Sequence, residues 1–286
     1  MAKSGPVPES ALLDRLQAVI RPYGRALIAY SGGVDSTLVA VAARRVLGKD
    51  NAPAVIGDSP SLPRSELAQA KALAEDLDLG LIVIHPDEQQ DPGYQANAGD
   101  RCYYCKTHLY EHLHAYATQH GYGIIFNGTN TDDLGDHRPG LLAADQAQVK
   151  SPLVEAGLDK DQVRLLARHL GLANADKPAA ACLASRIPYG TAVTPQRLAQ
   201  IEQAEEALKA LGFVGLRVRH HEQVARIELP ADQMQHMLDP NVRQKVAQAV
   251  KQAGFLYVSL DLEGFRSGSA NVALTVGMLT PAGAAR

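Results

Sequence analysis

Residues 26–47 read Ala26-Leu27-Ile28-Ala29-Tyr30, then Ser31-Gly32-Gly33-Val34-Asp35-Ser36, then TLVAVAARRVL ending at Leu47. The run from Ala26 to Ala29 is short and apolar and predicts a buried strand, while Thr37 to Leu47 reads as a helix. The hexapeptide therefore sits where a strand hands over to a helix. Adjacent glycines let the backbone approach a ligand closely, amides at a helix N-terminus favour an anion, and the two Ser hydroxyls add donors. Phosphate binding is the expectation here. The competing explanation is a tight turn with a helix cap, which Gly, Asp and Ser also serve. The chain contains no GxxxxGK[ST], and the turn holds no Lys to reach terminal phosphates, which argues against a Walker-type NTPase. The GxGxxG of a dinucleotide fold is missing too.

The same alternation extends on both sides of this turn. Leu12, Leu13, Leu16, Val19 and Ile20 recur at helical spacing between Pro8 and Gly24. Strands are predicted at 54–56, 81–84 and 123–126, with helices at 65–77 and 109–120. Strands alternating with helices imply an α/β fold, a parallel sheet with helices on both faces. Residues 173–191, ANADKPAAACLASRIPYGT, lose this rhythm and read as a loop between two domains. Thr194 and Pro195 then open a helix as cap and first-turn proline, with Leu198, Ile201, Leu208 and Leu211 on one face. Residues 216–229 alternate in two pieces that predict half-buried strands. A helix at 242–253 and a strand at 255–262 complete a smaller α+β unit. The expected domains are 1–175 and 190–286.

With 46% hydrophobic residues, 286 residues can bury a sizeable core, and Lys plus Arg (28) nearly balance Asp plus Glu (31). No broad basic field marks a nucleic-acid binder. No apolar run reaches the roughly 20 residues needed to span a bilayer, and the start MAKSGPVPES lacks the apolar centre of a signal peptide. A cytoplasmic protein without membrane partners is expected. Three cysteines do not make a disulfide scaffold in such a chain, so their role is expected to be chemical.

Two further motifs carry chemistry. Gly128-Thr-Asn-Thr-Asp132-Asp133-Leu-Gly-Asp136-His137-Arg138 follows the predicted strand ending at Phe126, and so faces the crevice at the carboxyl edge of the sheet. Its carboxylates suit Mg²⁺, which prefers oxygen ligands; an Asx-turn loop with a helix cap is the alternative. Cys102-Tyr-Tyr-Cys105 with the distant Cys182 admits four explanations. A thioredoxin-type pair would place CxxC at a helix start after an early strand and leaves Cys182 unexplained. Structural zinc needs a fourth ligand such as His108. A plain core role would suit Cys182 alone. The fourth is an iron–sulfur cluster, in which three thiolates leave one iron open for an exchangeable sulfide. The cluster is favoured, because the glycine turn implies an activated substrate in need of a nucleophile.

SGGVDS resembles the signature of the PP-loop ATP pyrophosphatase superfamily, which includes GMP synthetase, asparagine synthetase, NAD synthetase and tRNA thiolation enzymes. The resemblance implies ATP cleaved between its α and β phosphates, with Ser31, Gly32, Gly33, Asp35 and Ser36 at the pyrophosphate and Asp35 also positioning Mg²⁺. Taken with GTNTDDLGDHRPG, CLASRIPYGT and RVRHHEQVARIELP, the chain from about Leu12 to Gly268 resembles the LarE family, sulfur transferases of nickel-pincer cofactor biosynthesis. That resemblance implies a small-molecule acceptor, a pyridinium dicarboxylate mononucleotide. Its carboxylate is adenylylated and then converted to a thiocarboxylate. Cys182 falls at the position of the cysteine that some members sacrifice as sulfur donor. Cys102 and Cys105 are absent from those members, so this chain resembles a branch bearing a 4Fe-4S cluster on Cys102, Cys105 and Cys182.

The remaining candidates are cations and one acid. Gly128, Asp133, Lys106 and Arg138 are expected around the nucleotide, and Asp35 and Cys182 are the expected catalytic residues. Arg217 and Arg219 share a strand face and are candidates for the acceptor's phosphate, against a solvated charged face. Glu205 is a candidate for a metal or the substrate by resemblance, against a simple surface position. A tRNA thiolase and an ammonia-using amide synthetase of the NAD synthetase type are the rival functions. A homo-oligomer is expected, and the sulfide donor is unknown.

Overall fold

The computed structural model describes residues 8–135 and 139–266. The described chain forms two compact units, one from residues up to Glu88 and from Cys102 to Ala180, the other from Gln89–Arg101 and from Ala181 onward. This division differs from a single cut between 175 and 190, because residues 89–101 leave the first unit before α5 returns the chain to it.

In the first unit, α1 (Glu9–Ile20), β1 (Ala26–Ala29), α2 (Val34–Leu47), β2 (Ala54–Gly57), α3 (Arg64–Asp76) and β3 (Ile82–Ile84) follow one another. After α4 (Pro92–Ala96), which belongs to the second unit, come α5 (Arg101–His120), β4 (Ile124–Phe126), α6 (Pro139–Gln146), α7 (Pro152–Glu155) and α8 (Lys160–His169). The sheet is parallel throughout, in the order β3-β2-β1-β4, with Ile28 opposite Ala54 on one side and Phe126 on the other. The order reverses at β1, so the β1 and β4 carboxyl ends flank the crevice in which ligands of open α/β sheets bind.

Both sheet faces are covered. Ile28, Leu38, Ile56, Phe126 and Leu166 share one core with α1, α2 and α8, while Leu27, Val55, Ile125, Tyr110 and Leu113 form the other beneath α5. Helix α2 is buried nearly all round from Val34 to Ala43, which explains its apolar sequence. It begins at Val34, inside the glycine motif, three residues before the predicted start. Helix α5 begins at Arg101, two turns before the predicted Leu109. The sequence 101–108 has weak apolar periodicity but no helix breaker. Helices α6, α7 and α8 are additional to the predicted elements; α8 carries a capping box in which Asp159 accepts from the Gln162 amide and Gln162 accepts from the Asp159 amide.

The second unit holds α9 (Pro195–Ala210), β5 (Arg217–His221), β6 (Val224–Glu228), α10 (Ala231–Met237), α11 (Pro240–Gln252) and β7 (Tyr257–Leu260). Thr194 caps α9 as expected, accepting from the Arg197 amide at 3.3 Å. Strands β5 and β6 form a hairpin and β7 adds in parallel to β6. Val218, Ile227, Leu208, Val250 and Phe255 make its core. The predicted half-buried character fails for β5: Val218, Arg219 and His220 are all buried. Both faces are covered because the charged face is closed by ion pairs. Asn97, fully buried, donates through Nδ2 to the Pro188 and Thr191 carbonyls at 2.8 and 2.9 Å, tying the segment 89–101 to the loop that follows Cys182.

Candidate active site

The glycine turn is held from three directions. Gly32 has φ +74°, open to glycine alone at little cost, and a Cβ there would lie 2.6 Å from Ala70 Cβ on α3. Tyr30 donates to the Ala70 carbonyl at 3.1 Å, and burial raises its phenol to about 12, so it stays protonated. Ser36 Oγ donates to the Gly33 carbonyl at 3.1 Å and accepts from the Ser31 amide at 3.1 Å. Thr37 Oγ1 also donates to that carbonyl, at 2.8 Å. The first α2 bond runs from the Thr37 amide to Gly33. The amides of Val34, Asp35 and Ser36 therefore have no acceptor within the helix, which is the arrangement an anion completes.

The second motif comes directly against the first. A Cβ on Gly128 would stand 2.6 Å from the Ser36 nitrogen and 3.0 Å from the Asp35 carbonyl carbon, so only glycine lets the 128–135 loop seat on the α2 N-terminus. In this loop Asn130 Oδ1 accepts from the Asp132 amide at 3.0 Å and Asp133 Oδ2 accepts from the Asn130 amide at 3.1 Å. This is the Asx-turn construction, and it also aims Asn130 Nδ2 at Asp35 Oδ1, 3.0 Å away. The two motifs thus converge on the Asp35 carboxylate.

Two residues of this site were missed in the sequence. Lys160, the first residue of α8, forms an ion pair with the other Asp35 oxygen, while its backbone amide donates to Asp132 at 3.1 Å. The cation missing from the turn is supplied from 125 residues away. Asn174 Nδ2 donates to the Gly32 carbonyl at 3.1 Å and to Thr37 Oγ1 at 2.9 Å. The Asp159 cap in LDKDQ was a readable signal for α8; nothing local marked Asn174.

Cys102 and Cys105 lie on the first turns of α5, one exposed and one half-buried, and Cys182 is exposed in the second unit; none is in a disulfide. The CxxC thus sits at a helix start, as in a thioredoxin-type pair, but α5 follows α4 rather than a strand. Among the described residues, no group of three or more His, Cys, Asp and Glu side chains is gathered to hold a metal. Lys106 is exposed on α5, its stem 3.1 Å from where a Gly140 Cβ would lie. Arg138 lies outside the described residues.

In the second unit, Cys182 precedes a 3-10 turn (Leu183–Arg186) and its carbonyl accepts from Ser185 Oγ and Arg186 Nη1, both at 2.8 Å. Arg186 is paired with Glu205 at 3.0 Å, each side chain 4% exposed, and Glu205 Oε1 also accepts from the Val218 amide. Glu205 is thus buried, not a surface acid. Arg219 is engaged bidentately by Glu228 at 3.0 and 2.9 Å and donates to the Ser185 carbonyl. Arg217 lies over the Phe265 ring at 5.0 Å, and burial is the first cause lowering its guanidinium from the usual range, ahead of the neighbouring Arg186 charge. The two arginines are therefore not equivalent: Arg219 is neutralised by Glu228, and Arg217 is the cation held by a ring.

No helix among the described residues is long and apolar enough to cross a membrane. The NAD synthase family profile matches residues 11–91, the stretch that carries the glycine turn. The chain is 40% identical over 264 residues to pyridinium-3,5-bisthiocarboxylic acid mononucleotide synthase of Lactiplantibacillus plantarum, covering 92% of this chain and 95% of that protein. It is 44% identical over 263 residues to an uncharacterised protein of Synechocystis sp., covering 92% and 98%. Glutamine-dependent NAD(+) synthetase of Thermotoga maritima is 36% identical over 76 residues, only 26% of this chain and 13% of that enzyme. The likeness to the amide synthetase stops with the nucleotide-binding segment, whereas the likeness to the thiocarboxylate synthase runs through both units, and the chain belongs to the LarE family of ATP-using sulfurtransferases.

Proposed function

We propose that the chain adenylylates a carboxylate of a pyridinium dicarboxylate mononucleotide and converts it to a thiocarboxylate, the sulfur-insertion step of nickel-pincer cofactor biosynthesis. The observation that carries this reading is the near full-length 40% identity to a protein of that name, joined to the convergence of the two loops on Asp35. The unpaired α2 amides, Ser31 and Ser36 would receive the pyrophosphate of ATP, and Lys160 would turn from Asp35 toward it as charge develops on the leaving group. Asp35, released, is an oxygen ligand of the kind Mg²⁺ takes, and Asp133 stands on the facing loop. Gly128 keeps that loop close. The acceptor carboxylate attacks the α phosphorus, and pyrophosphate leaves.

Sulfur delivery is assigned to the cysteines. Three thiols outside any disulfide, two of them one turn apart on α5, are donors of the type a 4Fe-4S cluster takes, and Cys102, Cys105 and Cys182 would be its ligands. When bound, the cluster would supply sulfide. The chain's own contribution is to fix Cys182: Arg186 and Ser185 hold its carbonyl, and Glu205 holds Arg186. Of the two arginines, Arg217, held over a ring rather than by Glu228, would receive the mononucleotide phosphate.

The test is acceptor-dependent pyrophosphate release and thiocarboxylate formation in the wild-type chain and in Cys182→Ala, with iron and acid-labile sulfide quantified in protein purified without oxygen. Pyrophosphate release that survives in Cys182→Ala, with thiocarboxylate lost, is expected. Thiocarboxylate at the wild-type rate in Cys182→Ala would remove this cysteine from sulfur delivery. Absence of iron and sulfide would remove the cluster and leave Cys182 itself as the donor.

A further inference from the structure

We infer that Asn174, which forms no hydrogen bond to the 128–135 loop, is a positioning residue that sets the orientation of the Gly32–Gly33 peptide and so the anion-binding competence of the glycine turn. The inference rests on the assignment of that turn to pyrophosphate.

Asn174 lies in the segment after α8, 142 residues from Gly32 in sequence, and is 6% exposed. Its Nδ2 reaches the Gly32 carbonyl at 3.1 Å and Thr37 Oγ1 at 2.9 Å, and Thr37 Oγ1 in turn donates to the Gly33 carbonyl at 2.8 Å. One amide thus holds two consecutive carbonyls of the turn, the first directly and the second through a hydroxyl. A trans peptide is planar with its C=O and N–H on opposite sides. Drawing the Gly32 carbonyl toward Asn174 therefore turns the Gly33 N–H the other way, toward Ser31 Oγ, 3.3 Å off.

Gly32 needs such a hold. At φ +74° with no side chain it has more conformational freedom than the non-glycine residues of the turn, and it lines, with Asn174, an open cavity of about 730 Å³. Without Asn174 the Gly32 carbonyl would face solvent, and the peptide plane would be free to rotate. The anchoring segment is itself tied down: the Lys177 amide donates to the Asn174 carbonyl at 3.1 Å, and Lys177 Nζ pairs with Glu66 on α3 at 2.6 Å. Asn174 Oδ1, by contrast, is buried without a hydrogen-bond partner among the described residues. Both side-chain hydrogen bonds of Asn174 are therefore donated by Nδ2, the end that faces the turn.

The experiment compares wild type, Asn174→Ala, Asn174→Leu and Ser36→Ala as full chains, by calorimetric titration with inorganic pyrophosphate, ATP and AMP, alongside thermal unfolding. Leu approximates Asn in shape and removes the unsatisfied oxygen, so it keeps the measurement informative if Asn174→Ala folds poorly. Loss of one oriented donor at the turn should weaken pyrophosphate and ATP binding about tenfold in both Asn174 variants, with AMP within twofold and the unfolding temperature of Asn174→Leu preserved. Equal loss for AMP and pyrophosphate, or pyrophosphate affinity unchanged while Ser36→Ala is weakened, would overturn the role of Asn174 alone. A wild-type chain that does not bind pyrophosphate, or a Ser36→Ala chain that binds it normally, would overturn the assignment of the turn and the inference with it.

Discussion

Lys160 and Asp35 form an ion pair across 125 residues of sequence, joining the first turn of α8 to the first turn of α2. Asn130 Nδ2 holds the remaining Asp35 oxygen at 3.0 Å, so both carboxylate oxygens are engaged. Pairs this exposed, 30% and 21% for the two side chains, contribute little to folding.

Lys160→Ala should therefore leave unfolding stability within about 1 kcal/mol while cutting kcat/KM for ATP at least about tenfold, if the lysine passes to the pyrophosphate. Steady-state pyrophosphate release with parallel denaturant unfolding decides the point. An unchanged kcat/KM would confine Lys160 to a structural pair.

Gly128→Ala should damage the same site from the opposite loop. The new methyl would meet the Ser36 nitrogen at 2.6 Å, a backbone atom that cannot swing aside. Overpacking of this kind costs about 1–3 kcal/mol, and relief by moving the loop would carry Asn130 off Asp35. Raised KM for ATP together with lowered stability is expected; a variant matching wild type in both would mean the two loops are not seated on one another.

Glu205→Ala should be among the most destabilising changes in the second unit, because it leaves Arg186 buried and unpaired and deprives the Val218 amide of its acceptor. Breaking a buried pair from one side costs about 3–5 kcal/mol. The double variant Glu205→Ala/Arg186→Leu should recover part of that loss in chemical denaturation. Strict additivity of the two single changes would contradict a direct pairing.

His220 makes the second unit acid-sensitive. It is buried against Phe255, with Nδ1 unpartnered among the described residues and Nε2 3.2 Å from Gln200 Oε1. Burial first, then the charge of Arg197, lowers its pKa below 6.5. A histidine depressed in the folded state binds more protons when unfolded, so its stability contribution is complete above pH 6.5 and declines as pH falls below that value. His221 shifts the same way. Subtracting the stability profile of His220→Gln from that of wild type should leave a slope below pH 6.5 of at most about 1.4 kcal/mol per pH unit; a flat difference would place His220 in a site that tolerates its charge.

The local pattern around Ser31–Ser36 was enough to determine a strand, a glycine turn and a helix, because a short apolar run, glycine permissiveness and helix caps are all decided within a few residues. The parallel sheet followed from repetition of that unit, and the positions of Gly128 and the three cysteines were legible as motifs. What only the tertiary structure decided were the partners of charge. Lys160 and Asn174 reach the glycine turn from 125 and 142 residues away, and no periodicity encodes a contact at that separation. The early start of α5, which places Cys102 and Cys105 on a helix, was hidden by its weak periodicity. Arg219 and Glu205 look like surface charges in a linear sequence; their burial as paired ions depends on which strand and helix face them, a property of packing alone.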